Sequence, residues 1–127
     1  MAEKIIEFTT ECSVKECGHG FRSAVENSQG IVGKINAVFL GKRLEFFTPK
    51  YGQNDEPFAS LNDDEATFLV GASVPRGGRN ARPVVVQMYV WERESSSEVH
   101  LLVDHGLGGG SFATKLLQAV RSEIESP

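Results

Sequence analysis

The strand that the sequence predicts over residues 84–93 is apolar on both faces from Val84 to Trp91, and this feature constrains the fold most. It is the strongest predicted strand in the chain, because β-branched and aromatic residues fill it, and a Ser95–Ser97 turn joins it to the next strand. On its second face only Gln87 interrupts the apolar residues. Tyr89 and Trp91 lie on that face, so they are either covered by another part of the protein or form an exposed aromatic patch.

The length and charge of the chain indicate a single soluble domain. The chain has 127 residues, an ordinary length for one core, and we predict one domain over residues 1–127. A net charge of −4 gives no overall basic field for nucleic acid or an anionic membrane, and no apolar stretch reaches the roughly 20 residues of a membrane span. Two cysteines are too few for a disulfide scaffold, and the N-terminus lacks a signal-peptide pattern. We therefore predict a cytoplasmic protein that binds neither nucleic acid nor membranes.

The N-terminal segment predicts a strand followed by a helix. Residues 4–14 alternate between apolar and polar side chains, which is typical of a half-buried strand. Ser13 and Glu16 have the spacing of a capping box, in which each side chain accepts a hydrogen bond from the other residue's backbone amide. Gly18 and Gly20 interrupt the helix that follows, at a cost of roughly 1 kcal/mol each relative to alanine. We therefore expect this first helix to be irregular.

The remainder predicts a short second helix, a sheet and a final helix. The second helix is predicted from Ile31, with Gly41 as its stop, although the same residues also alternate like a strand. Further strands are predicted at 44–48, 67–74 and 99–104. Residues 49–65 are rich in turn-forming residues and predict a long loop. From Ser111 to Ile124 the apolar residues form the wide stripe of a helix that packs on a sheet.

The predicted order is strand, two short helices, several antiparallel strands and a long terminal helix, which is an α+β fold. The first strand has to return past the helices to pair with later strands, and the terminal helix then packs on the concave face of a curved sheet. This order, with a Gly-rich turn before the last helix, resembles the helix-grip fold of the START and birch-pollen-allergen superfamily (SRPBCC) across nearly the whole chain. A cystatin-like α+β fold is the alternative, although that class usually starts with its main helix and ends on a strand.

The resemblance implies an internal cavity between the sheet and the terminal helix, where an apolar small molecule would bind. The residues that would line it here are Phe8, Met88, Val90, Leu101, Leu116, Leu117 and Val120. A filled core is the alternative, because a domain this short leaves little room. Similar folds also support enzymes of the cyclase or dehydratase type, which need acid–base groups in the cavity. The inward positions are almost wholly apolar, with Thr10 and Cys12 as the exceptions, and this disfavours an enzyme.

Side chains suited to metal binding or catalysis are present, but their placement argues against both roles. Cys12, Cys17 and His19 supply three ligands for zinc, which needs about four in a tetrahedron. Both cysteines lie on apolar faces, His19 falls on the polar side of its helix, and a fourth ligand is not evident nearby. His100 alternates away from the apolar face of its strand, so nothing in the sequence brings it or His105 to a nucleophile. We therefore predict no catalytic residue, metal or cofactor.

Two loops have features that bind anions in other contexts. Residues 106–110 are glycine-rich and precede a helix that we expect Ser111 to cap, but the Lys-Ser or Lys-Thr pair of a phosphate-binding loop does not follow. Arg76, Arg79 and Arg82 surround a hairpin tip that could hold a carboxylate or a phosphate. A flexible turn and a soluble loop tip are the favoured interpretations.

The sequence therefore favours a small binding module for an apolar ligand. The alternative is a protein-interaction or dimerisation module in which Tyr89 and Trp91, together with the 49–65 loop, form the contact face. The sequence does not separate these two functions. The deciding fact is whether the two aromatic side chains are buried within the protein's own fold.

Overall fold

In a computed structural model, the protein is an α+β fold in which two described helices cover one face of a five-stranded antiparallel sheet. The structure describes residues 3–28, 44–48, 66–75, 83–105 and 110–125. The strands are β1 (Glu3–Thr10), β2 (Glu45–Phe47), β3 (Phe68–Val74), β4 (Val84–Glu92) and β5 (Ser97–Asp104). The helices are α1 (Val14–Asn27) and α2 (Gly110–Glu125). Neither of these helices is long and apolar enough to cross a membrane.

The sheet has the strand order β1-β5-β4-β3-β2, and every neighbouring pair is antiparallel. The first strand pairs with the last along its whole length, from Glu3 opposite Asp104 to Thr10 opposite Ser97. The prediction that the first strand returns to pair with a later strand is therefore confirmed. In this order β1 and β2 lie at the two ends of the described sheet.

The start of α1 is fixed by the capping box that the sequence predicts. The Ser13 hydroxyl accepts a hydrogen bond from the Glu16 amide at 3.2 Å, and the Glu16 carboxylate accepts one from the Ser13 amide at 3.0 Å. The bond from the Ser13 amide, followed by the interaction with its side chain, holds the pKa of Glu16 below its usual value. Because Val14 is already helical, β1 ends at Thr10 and is shorter than the predicted strand.

The two glycines of α1 do not make it irregular, since the helix is continuous over 14 residues. A Cβ atom at Gly20 would lie 3.1 Å from Cγ1 of Ile124, and a Cβ atom at Gly18 would lie 3.3 Å from the ring of Phe68. Both distances are tighter than ordinary van der Waals contacts. Glycine therefore lets α1 approach α2 at one position and β3 at the other.

The helices and the facing side of the sheet share one buried cluster. Its members include Cys17, Phe21, Ala24 and Val25 of α1, Leu116, Leu117, Val120 and Ile124 of α2, and Val70, Ala72, Met88, Val90, Val99, Leu101 and Val103 of the strands. The helix α1 packs on β3 and β4, α2 packs on β1 and β5, and the two helices pack on each other. The predicted packing of the terminal helix on the sheet is therefore confirmed.

Two predicted boundaries differ from the structure. The helix α2 begins at Gly110, so Ser111 lies inside the helix rather than at its cap. The strand β5 begins at Ser97 rather than at Val99, because Ser97 already pairs with strands on both sides. The turn before β5 is therefore one residue earlier than the serine run predicts.

Several predicted features lie outside the described residues and stay predictions. They are the second helix between Ile31 and Gly41, the 49–65 loop, the 106–109 part of the glycine-rich turn, and the tip formed by Arg76, Arg79 and Arg82.

In the pairing of β2 with β3, an aromatic ring lies across a glycine. Phe47 is opposite Gly71 in the register. A Cβ atom added to Gly71 would come within 2.5 Å of the Phe47 ring. The ring therefore occupies the space of the missing side chain, an arrangement that supports glycine in a strand.

Gly71→Ala is expected to lower the free energy of unfolding by about 1 kcal/mol, because the Phe47 ring has to move off the strand. In a Phe47→Ala background the same substitution is expected to be neutral or stabilising, since glycine in a strand costs roughly 0.5–1 kcal/mol relative to alanine. Urea denaturation of the wild type, both single variants and the double variant measures the coupling between the two positions. Strictly additive effects would contradict the contact.

Candidate functional site

An open cleft of about 630 Å³, here called the α1 cleft, lies between the first half of α1 and the ends of β3 and β4. Its half-buried lining consists of Val14, Gly18 and Phe68. Most of the accessible lining is apolar. The volume falls within the range of roughly 300–1,000 Å³ that is usual for small-molecule sites.

The exposed lining of the α1 cleft is basic on the helix side. Lys15, His19 and Arg22 follow one another at spacings of four and three residues, so they share one side of α1. The guanidinium carbon of Arg22 lies 4.4 Å from the centre of the Phe46 ring, which is a cation–π contact. This contact places Arg22 at one end of the cleft beside β2.

The opposite wall of the cleft belongs to the sheet. The Thr67 hydroxyl accepts a hydrogen bond from the Glu92 amide at 3.0 Å, and the Thr67 amide donates to the Val90 carbonyl at 2.8 Å. Phe68 follows directly and faces Gly18 across the cleft. The wall is therefore held by hydrogen bonds to β4, and the depth of the cleft depends on the absence of a side chain at position 18.

The residues that the sequence predicts as a cavity lining all belong to the main buried cluster or pack against it. Met88, Val90, Leu101, Leu116, Leu117 and Val120 are each at most 4% exposed. Phe8 is half-buried beside them, and the guanidinium carbon of Arg121 lies 5.2 Å from the centre of its ring. None of these seven residues lines the α1 cleft. That they enclose a ligand cavity stays a prediction.

A buried polar network joins the end of β1 to the end of α2. The Thr10 hydroxyl donates to the Ile124 carbonyl at 3.0 Å, and the Cys12 thiol donates to the same carbonyl at 2.9 Å. The Ser97 hydroxyl donates to the Cys12 carbonyl at 2.8 Å. Carbonyls in the last turn of a helix lack partners within the helix. Thr10 and Cys12 are the two polar residues that the sequence places at inward positions. Their side chains therefore provide hydrogen-bond donors to a carbonyl at the helix end that would otherwise be buried without a partner.

A smaller cleft of about 300 Å³ lies beside this network. It is lined by residues 9–12 and by Glu125, whose carboxylate is bonded to Arg121 at 2.9 Å. Glu11 and Glu125 make its exposed lining acidic. Among the described residues there is no group of three or more His, Cys, Asp or Glu side chains placed to hold a metal ion.

Cys17 and His19 lie in different surroundings on α1. Cys17 is fully buried, whereas His19 is exposed. Burial raises the pKa of the Cys17 thiol to about 11, and the proximity of Cys12 acts in the same direction. Because the thiolate is the nucleophilic form, this thiol is inert at neutral pH. The pair therefore has neither the placement nor the ionisation state of a nucleophile with its base.

Tyr89 and Trp91 are covered, with 0% and 1% of their surface exposed, on the face of the sheet opposite the helices. They form a second buried cluster with Leu102, against which Ala66 and Leu69 pack. The rings of Tyr89 and Trp91 stack with their centres 6.3 Å apart. The sequence left open whether these two side chains are covered or exposed, and in the structure they are covered. That Tyr89 and Trp91 form an interface with a partner stays an alternative prediction. Such an interface requires exposed rings, and in the structure both rings are buried.

His100 lies on this second face, as its alternation predicts, but it is only 3% exposed. Its Nε2 atom is 3.0 Å from a carboxylate oxygen of Glu98, and its ring centre is 4.6 Å from that of Trp91. The part of the chain that the structure describes offers no hydrogen-bond partner to its buried Nδ1. Sequence alternation assigned the face correctly but carries no signal for the burial, which depends on what covers the sheet.

Thr10→Val is expected to lower the free energy of unfolding by about 1–2 kcal/mol, because it removes a buried hydroxyl and keeps the side-chain shape. Thr9→Val is the matched control, since Thr9 is exposed on the other face of the same strand. We expect that control to change stability by no more than about 0.5 kcal/mol. Urea denaturation measures both, and equal losses would show that the bond to the Ile124 carbonyl contributes nothing.

Stability is expected to fall as the pH rises from about 9 towards 11. An unfolded cysteine loses its proton at about pH 8.5–9, whereas the folded Cys17 thiol keeps its proton until about 11. The unfolded state therefore binds fewer protons in this window, and a rising pH favours it. Cys17→Ala should reduce this slope, although the variant loses stability at every pH through its cavity. Denaturation curves at several pH values test this, and an unchanged slope in Cys17→Ala would contradict it.

The α1 cleft, the polar network and the aromatic cluster are the features from which a function can be inferred. The sequence itself matches no protein-family model and no curated protein.

Proposed function

We propose that the protein is a small binding module for an apolar ligand and that the α1 cleft is its binding site. The observation that carries the proposal is an accessible, mainly apolar lining around a volume of about 630 Å³. Protein sites for small molecules are concave, mainly apolar and of this size, with a few polar groups at their edges.

The walls of the cleft are held by packing that needs no ligand. Cys17 and Phe21 anchor α1 in the buried cluster, and Thr67 is bonded to β4. A ligand would cover the half-buried side chains of Val14 and Phe68 without reorganising the backbone. A preformed site of this kind loses little affinity to conformational ordering.

A helix-grip fold is part of the proposal. The strand order β1-β5-β4-β3-β2, with α2 packed on one face, supports it, since that fold returns its first strand to the sheet and closes with a terminal helix. The resemblance places the ligand beneath α2, among Phe8, Met88, Val90, Leu101, Leu116, Leu117 and Val120. The α1 cleft is favoured because its lining is accessible, whereas six of those seven residues are buried. The gap beneath α2 is the alternative location for the same class of ligand.

A cyclase or dehydratase activity finds less support. The two inward polar side chains that the sequence offers for it, Thr10 and Cys12, both donate to the Ile124 carbonyl. Side chains engaged in this way serve the packing of α2 on the sheet rather than proton transfer.

Gly18→Leu is expected to weaken the binding of a neutral apolar dye such as Nile red at least tenfold, because the new side chain fills the space between Val14 and Phe68. Ser23→Leu is the matched control, since Ser23 is exposed on the same helix and does not line the cleft. Fluorescence titration measures affinity, and thermal denaturation confirms that both variants fold. Gly18→Ala provides a milder variant, whose Cβ meets the Phe68 ring at 3.3 Å.

The outcomes separate the two locations. A wild-type protein that takes up no apolar dye would contradict the binding function altogether. Uptake that is unchanged in Gly18→Leu would exclude the α1 cleft and favour the gap beneath α2.

A further inference from the structure

We infer that the ligand of the α1 cleft is an anionic amphiphile, a molecule with one apolar chain and one negatively charged headgroup. The inference rests on the proposed function, because it names the ligand class of the same site. The apolar chain would lie along Val14 and Phe68, with the headgroup on the helix side.

The cations along the helix side of the cleft carry the inference. Lys15 and Arg22 are positively charged at neutral pH, and both line the cleft together with His19. The chain as a whole has a net charge of −4, so the charge of this basic edge is opposite in sign to the net charge of the protein. Charge complementarity at the edge of an apolar site selects among ligands of similar shape.

These cations are available to a ligand. Within the described residues, the ion pairs at 4.0 Å or less join Arg93 to Glu98, His100 to Glu98 and Arg121 to Glu125. Lys15 therefore has no carboxylate partner among them. The guanidinium of Arg22 stacks on Phe46, and a stacked guanidinium keeps its in-plane N–H donors for a headgroup oxygen.

The capping box at the start of α1 reduces the number of backbone donors that the helix offers to an anion. The Glu16 amide is already bonded to the Ser13 hydroxyl, and the Glu16 carboxylate is bonded to the Ser13 amide. The capping box thus occupies two of the backbone donors that an anion would otherwise use. We therefore assign recognition of the headgroup to the side chains of Lys15 and Arg22.

One carboxylate, that of Glu92, lines the opposite wall. Among the described residues it is not within ion-pair distance of Lys15 or Arg22, so it does not neutralise them directly. Its charge repels a headgroup from the sheet side. The ligand is therefore oriented with its headgroup towards α1 and its chain along the sheet wall.

Four ligands with the same ten-carbon chain test the inference: decanoate, decyl phosphate, decanol and decyltrimethylammonium. Titrations of the full chain are followed by NMR at the Gly18 amide, below the micelle concentration of each ligand. Because exposed ion pairs are individually weak and two cations act on the headgroup, we expect the two anions to bind roughly 2- to 30-fold more tightly than decanol. The cation should bind most weakly, and the preference for anions should shrink as salt is added. The ratio of the affinities for decanoate and decyl phosphate shows whether the site prefers a carboxylate or a phosphate headgroup.

The double variant Lys15→Gln with Arg22→Gln should bring the affinity for the anions to within about twofold of that for decanol, while decanol binding stays unchanged. Lys115→Gln is the matched control, because Lys115 is exposed on α2 and does not line the cleft. Thermal denaturation confirms that both variants fold.

The possible failures are distinguishable. If none of the four ligands binds, the proposed function fails and the inference fails with it. If all four bind with equal affinity, the binding function stands and the anionic class is wrong. If the preference for anions survives in the double variant, Lys15 and Arg22 are not its source and the inference is overturned.

Discussion

The antiparallel pairing of β1 with β5 is the constraint on which the rest of the structure depends. It joins the first strand to the last, so it closes a long loop of the chain. The entropy lost in closing that loop has to be offset by the burial of apolar side chains that the pairing completes. The polar network strengthens the same junction, because Thr10 and Cys12 bond the Ile124 carbonyl and thereby fix the end of α2 to the end of β1. The chain then leaves the sheet at Thr10, and the capping box at Ser13 starts α1 over β3 and β4. The position of the α1 cleft follows from this path.

The strand β4 is largely buried on both faces, whereas the start of β3 beside α1 is partly accessible. On the helix side, Met88 and Val90 belong to the main cluster, and on the other side Tyr89 and Trp91 belong to the second cluster. Within β4, Val85 and Gln87 are half-buried, and Glu92 is exposed at its end. The ends of β3 and β4 differ, since Phe68 is only half-buried there and faces a glycine of α1. This is why the candidate site lies at the end of the helix layer rather than on a face of the sheet.

The described strands and helices could largely be predicted from the sequence, because side-chain direction alternates along a strand and repeats every 3.6 residues along a helix. The spacing of Ser13 and Glu16 likewise locates the start of α1. The cleft could not be predicted, since α1, β3 and β4 each contribute part of its lining. Gly18 in particular looks like a cost to the helix until Phe68 is placed opposite it. Alternation likewise assigns His100 to a face but cannot show that this face is covered.

The two candidate locations for a ligand differ in what a ligand has to displace. Entry beneath α2 has to displace Leu116, Leu117 and Val120 from the main buried cluster, in which each is at most 4% exposed. Entry into the α1 cleft requires only that exposed side chains such as Lys15 change rotamer. Because the free energy needed to open a site is subtracted from the affinity, the proposed apolar ligand would bind more tightly in the cleft unless its contacts beneath α2 offset that cost. Glycine at position 18 lets α1 approach Phe68 beside the cleft, at a cost of roughly 1 kcal/mol in helix propensity.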